Sequence, residues 1–249
     1  MELTAINVAP NKLDVHVGHA IDVAVDFVSH DDGALLRRAT VGLHVTNPID
    51  PSGHNFEMVG SDLRETAVDS DGPLGLSRTW FTAWAPASST FLGVTTKADD
   101  MALFGSGQIH GHAAADFELE VPSGSEDGVE VRLEGPAQLT AVGPDLTYSL
   151  EVWRQAKAIP DRVVLTIEAP EGWTVGDASV VGGGDGSGLG PFGDTGPSVE
   201  LATTSTLVSV RGDVSSDLRV TVRFTRALTT RAWEWLRAPV VGWAVFLFG

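Results

Sequence analysis

Cysteine is absent from the 249 residues, which excludes disulfides, thiolate metal sites and cysteine nucleophiles and leaves the redox compartment unmarked. Lysine is nearly absent too: Lys12, Lys97 and Lys157 are the whole complement, and 16 basic side chains stand against 33 acidic ones. The resulting charge of −17 keeps the chain soluble and repels phosphate backbones, so nucleic acid is not expected as a partner. No apolar run reaches the roughly 20 residues of a bilayer-spanning helix. The opening "MELTAINVAPNKLDV" lacks the basic and apolar regions of a signal peptide and enters a strand-like pattern at once. The expectation is a protein assembled in the cytoplasm, as virion proteins are, or one from which a signal has been removed.

A sustained helical period is also missing, and a period of two takes its place. Leu13, Val15 and Val17 alternate with polar residues. Ile21, Val23, Val25 and Phe27 do the same, as do Val41, Leu43 and Val45, and then Phe117, Leu119 and Val121. A polar stretch of turn formers, "PSGSEDG" (122–128), then interrupts the pattern. It restarts with Val129, Val131 and Leu133, and continues through Leu146–Val152, Val163–Ile167 and Leu218–Phe224. Short alternating segments separated by Gly, Pro and Asp clusters predict an all-β fold of antiparallel sandwiches. The expected organisation is two consecutive immunoglobulin-like sandwich domains, residues 1–122 and 123–228, followed by a short apolar C-terminal segment, 229–249.

The phrase "DLTYSLEVWRQAKAIPDRVVLTIEAPEGWTV" (145–175) resembles bacterial and archaeal surface-type immunoglobulin-like modules, in which strand, loop, strand and a P-E-G-W corner follow in order. The resemblance lies mainly in residues 145–224. It implies a sandwich fold and a spacer or adhesion role, not a catalytic site. Within the corner, Pro170 ends a strand, Gly172 permits the turn and Trp173 offers a large ring to the core. The opening "VAPNKLDVHVGHAIDVAVDF" is similar to the start of many extracellular repeats of this kind, with Gly18 in a turn between two strands.

The chemistry-bearing residues mostly have plain readings. All seven histidines fall within the first 112 residues, and alternation places His16, His44, His110 and His112 opposite the apolar positions. Two imidazoles at i and i+2 on one strand point the same way, an arrangement that could hold copper or zinc, set against an ordinary solvated histidine face. No cofactor is otherwise expected, and calcium is disfavoured: Asp31-Asp32, Asp69 with Asp71, and Asp99-Asp100 lack the remaining ligands of a calcium loop. "VVGGGDGSGLGPFGDTGPS" (180–198) lacks the Lys-Ser/Thr ending of a phosphate loop and reads as an inter-strand loop, with Phe192 at its tip as a candidate partner contact. Arg211-Gly212-Asp213 is expected on a hairpin loop, where Gly-Asp is also what any turn favours. Trp80 and Trp84 share a strand face that would serve as core or as a carbohydrate platform. With no G-x-S-x-G elbow and no histidine after residue 112, a hydrolase is not expected.

The end of the chain, "RAWEWLRAPVVGWAVFLFG" (231–249), differs from everything before it. Its apolar part, Ala238–Phe248, is eleven residues long and contains Pro239, too short and too interrupted to span a bilayer alone. An apolar run of this kind needs a cover. Trp233, Trp235, Trp243, Phe246 and Phe248 are therefore the expected contacts with a membrane or with protein subunits. The sequence thus suggests a non-enzymatic structural or adhesion component of a cell surface or virion, held by its C-terminal segment. The competing expectation is a ligand-binding module in residues 1–122, for a histidine-held metal or a carbohydrate.

Overall fold

The computed structural model describes residues 2–6, 17–30, 34–48, 77–86, 88–96, 103–109, 112–152, 160–182, 199–214 and 217–227. Every regular element among them is a β-strand. In chain order these are β1 (Glu2–Ile6), β2 (Gly18–Ser29), β3 (Leu35–Asn47), β4 (Ser77–Pro86), β5 (Thr90–Thr96), β6 (Leu103–Ile109), β7 (His112–Val121) and β8 (Ser125–Pro136). They continue with β9 (Thr140–Val142), β10 (Asp145–Val152), β11 (Asp161–Glu168), β12 (Trp173–Gly182), β13 (Glu200–Thr203), β14 (Leu207–Val214) and β15 (Leu218–Arg226). The all-β expectation holds, with several sheets built almost wholly from antiparallel pairs.

Among the described residues three sheets form: a seven-stranded one in the order β13-β14-β11-β2-β3-β8-β5, and two four-stranded ones, β1-β4-β7-β6 and β12-β15-β10-β9. Residues 1–122 supply β2, β3 and β5 of the long sheet, and residues 123–228 supply β8, β11, β13 and β14. The seam between β2 and β11 is parallel, Ala20 through Val25 matching Arg162 through Ile167.

Alternation decides which face of the long sheet is dry. Val23, Val25 and Phe27 of β2 are buried beside Val41, Leu43 and Val45 of β3, Val131 and Leu133 of β8, and Val163, Leu165 and Ile167 of β11. Their neighbours Asp22, Ala24, Thr40, His44, Glu130 and Arg132 lie on the opposite, more accessible face. Both small sheets pack on the apolar face. His19 meets Phe81 of β4 edge-on at 5.8 Å, while Phe27, at the other end of β2, meets Tyr148 of β10 at 5.1 Å and Phe224 of β15 at 5.7 Å. One continuous apolar cluster runs through all three sheets.

The polar stretch 122–128 is shorter as a turn than its composition suggests. The Ser125 amide donates to the Pro122 carbonyl (3.1 Å), Gly124 adopts φ 67°, and β8 starts at Ser125. Ser125, Glu126 and Asp127 pair with Asn47, Thr46 and Val45, so ladder hydrogen bonds override their loop-like composition. At this corner the chain passes from a small sheet to the long one, and the buried Asn47 amide donates to the Val121 carbonyl (2.9 Å).

A second difference concerns Arg211-Gly212-Asp213, which lies within β14 opposite Val164, Val163 and Arg162 rather than on a loop. Val210 and Val214 are both buried, and the alternation carries the strand through the glycine. The P-E-G-W corner forms as expected: the Trp173 amide donates to the Pro170 carbonyl (2.9 Å) and Gly172 takes φ 78°. The Trp173 ring is half-buried against the core, with the Arg226 guanidinium 5.6 Å from its centroid. Gly18 opens β2, opposite Thr46. The strand expected over 13–17 lies, apart from Val17, outside the described residues, as do the three acidic pairs, residues 228–249 and residues 183–198 of the glycine-rich stretch, whose first three residues end β12.

Because Leu165 is fully buried in the shared sheet, Leu165→Ala is expected to cost about 2–5 kcal/mol in urea unfolding. Arg162→Ala, on the exposed face of the same strand, should change stability by no more than about 0.5 kcal/mol.

Candidate functional site

Two places gather polar side chains: one on the open face of the long sheet, the other inside the core. On the open face, Gly42 of β3 pairs with Asp22 of β2 on one side and Glu130 of β8 on the other. The missing side chain leaves a shallow open depression of about 180 Å³, lined by Asp22, Thr40, Gly42, His44, Glu130 and Thr166. His44 Nε2 lies 3.1 Å from Asp22 Oδ2, and both side chains are about half exposed. Its ring stands close beside Gly128, where a Cβ would come within 3.0 Å of His44 Nδ1. Glu130 faces Arg132 at 3.9 Å, and Arg38 donates to Glu134 at 2.8 Å, a hydrogen bond that raises the Arg38 pKa.

Exposed ion pairs of this kind contribute little to stability. Chemically the depression offers an imidazole and two carboxylates to a cation or a hydroxylated ligand. It does not enclose one, being smaller than the roughly 300–1,000 Å³ of ordinary ligand pockets.

The expected metal ligands are distributed as follows. His44 lies on the open face of the long sheet, His112 begins β7 in a small sheet, and His16 and His110 are outside the described residues. Among the described residues no three potential ligands converge to hold a metal ion. In the aromatic cluster, Phe81 is buried and stacks on Phe117 with centroids 5.7 Å apart. Trp84 is half-buried, its ring edge-on to His112 at 6.4 Å and its indole nitrogen buried. The Trp80 side chain is outside the described residues, as are Phe192, Trp233, Trp235, Trp243, Phe246 and Phe248.

The interior group was not anticipated from the sequence. Arg37 of β3 shares the parity of Ala39, Val41 and Leu43, so its guanidinium enters the apolar layer and is only 4% exposed. That parity was the legible clue: a basic residue in phase with an apolar series. Arg37 Nη2 donates to Ser89 Oγ (3.0 Å), in the turn between β4 and β5. Ser89 rests on Gly135, the β8 partner of Arg37, where a Cβ would lie 2.9 Å from the hydroxyl oxygen. Tyr148 approaches from β10. Its phenol oxygen and Arg37 Nε are both buried, and neither completes a hydrogen bond with a protein group. Burial pushes the Tyr148 pKa up, and the nearby Arg37 guanidinium opposes that shift without cancelling it. A further buried polar pair, His19 and Asp161, sits 3.9 Å apart where β2 and β11 begin.

No family model matches the chain, and no curated protein does. Among solved structures, it is similar to one described as a "putative nutrient binding protein" from Legionella pneumophila subsp. pneumophila str. Philadelphia 1, at 8% identity and a TM-score of 0.38. The match covers 89% of this chain and 70% of that one. A likeness this distant bears on neither family nor function.

Tyr148 is the sole tyrosine, so absorbance near 295 nm reads it alone. In the folded protein its ionisation should be shifted above the ordinary phenol value of about 10. The unfolded chain loses this proton first, so the stability it contributes is complete below about pH 10 and falls as pH rises through the folded-state value.

Proposed function

We propose that this protein is a non-enzymatic structural or adhesion component of a cell surface or virion, in which immunoglobulin-like β-sandwich layers are attached through residues 229–249. The observation that carries this reading is how the chain is held just before that segment. β15 is an interior strand, hydrogen-bonded to β12 on one side and β10 on the other. Leu218, Val220, Val222 and Phe224 root it in the core. At its exit the Ala227 amide donates to the Gly172 carbonyl (3.0 Å), and Arg226 covers the Trp173 ring. A load applied through the C-terminal segment therefore passes into a strand that cannot leave without opening a sheet on both sides.

The composition of 231–249 supplies the other half of the reading. Tryptophans and arginines flank an apolar run that water does not favour, and a membrane interface or a neighbouring subunit would cover it. The acidic, lysine-poor surface is compatible with either setting and opposes adventitious binding to nucleic acid.

Deletion of residues 229–249 should convert a membrane-bound or oligomeric full-length protein into a soluble monomer, measured by flotation with vesicles and by analytical ultracentrifugation. Identical partitioning and identical mass per particle for the two chains would remove the basis for the attachment role.

A further inference from the structure

We propose that Arg37, Ser89 and Tyr148 form a buried binding site for a monatomic halide, which is chloride in ordinary electrolyte. This role is separate from attachment through the C-terminal segment. Three side chains from three different parts of the chain meet between the long sheet and the layer above it. They are only 4%, 8% and 1% exposed, respectively. Arginine stays charged at every accessible pH and presents five N–H donors without an acceptor. Among the described residues no carboxylate forms an ion pair with Arg37. Its guanidinium donates to a neutral hydroxyl, that of Ser89.

A buried charge in that condition is costly unless an opposite charge or strong acceptors complete it. The groups around it are donors. Arg37 Nε–H and the Tyr148 hydroxyl are unpartnered, and the Ser89 oxygen already accepts from Arg37, so its own proton is free to donate elsewhere. One positive charge beside two hydroxyls that can each donate favours an anion over a cation.

Burial narrows the class. Arg37 pairs with Phe27 on one side and Gly135 on the other, and Phe27 also packs edge-on against the Tyr148 ring at 5.1 Å. Ser89 closes the Gly135 side. The three side chains are almost wholly buried, and a single-atom anion needs only their donors, whereas the body of a carboxylate-bearing metabolite would need further partners of its own. The three donors come from β3, the β4–β5 turn and β10, so an ion bound among them joins the long sheet to both other parts. The unfolded chain has no such arrangement, and halide binding therefore adds to stability in proportion to its occupancy.

The test uses the full chain, melted in sodium chloride, sodium bromide and sodium gluconate at constant ionic strength. Between millimolar and molar halide the midpoint should rise by about 3 to 10 °C relative to gluconate. Arg37→Gln should abolish the difference between halide and gluconate, and Tyr148→Phe and Ser89→Ala should each reduce it. If Arg37→Gln does not fold, the two milder variants decide. A crystal grown in bromide should show an anomalous peak within hydrogen-bonding distance of Arg37 Nε. Equal midpoints in chloride and gluconate, a halide effect undiminished in the folded variants, or a bromide-grown crystal without that peak would each overturn the proposal.

Discussion

Six residues of β2, Ala20 to Val25, hydrogen-bond in parallel with Arg162 to Ile167 of β11, and this seam makes one long sheet out of strands from distant parts of the chain. Thr166 adds a side-chain hydrogen bond to the Val23 carbonyl across 143 residues of sequence. The register matters as much as the pairing. Val23 faces the same layer as Leu165, and Val25 the same layer as Ile167; a slip by one residue would turn one series out to water and bring Asp22 and Asp26 inward. With the seam in register, a single apolar face is wide enough to carry two four-stranded sheets. A parallel pair also cannot be closed by a tight hairpin, so a long crossing of the core is unavoidable.

The face of each strand was legible from the sequence because burial on one side imposes a period of two. Ile21–Phe27, Val41–Val45, Phe117–Val121, Val129–Leu133, Val163–Ile167 and Leu218–Phe224 all fall within strands where alternation puts them. What alternation does not encode is the partner of each strand. Nothing local in Ala20–Val25 specifies Arg162–Ile167, since Val and Ile suit many neighbours equally. Turn composition misled in two places for a related reason. Ser125–Asp127 and Arg211–Asp213 look like loops, but ladder hydrogen bonds to Val45–Asn47 and Arg162–Val164 hold both in strands. The candidate sites were less legible still. The depression at Gly42 exists because of what stands on the neighbouring strands, and Ser89 meets Arg37 across 52 residues.

The two faces of the long sheet handle charge in opposite ways. On the open face acid and base sit side by side in water, Arg38 with Glu134 and His44 with Asp22, where each pair is worth little and is easily exchanged. On the covered face Arg37 is buried beside Phe27, Ser89 and Tyr148, where the low dielectric makes every unmet donor count. The same β3 strand carries Arg37 and Arg38 to these two environments, one residue apart. Strand parity alone converts two adjacent arginines into an exchangeable surface charge and a fixed interior one.

Among the described strands, the edges of the long sheet are β13 and β5. The first is four exposed residues long; the second breaks register between Phe91 and Gly93, where Leu92 is pushed out to 55% exposure. An incoming strand from another copy would find too short a ladder at one end and a mismatched one at the other. β12, at the edge of its own sheet, carries a similar break between Val175 and Asp177. Copies of this chain crowded together would therefore meet no ready template for strand pairing at these three edges.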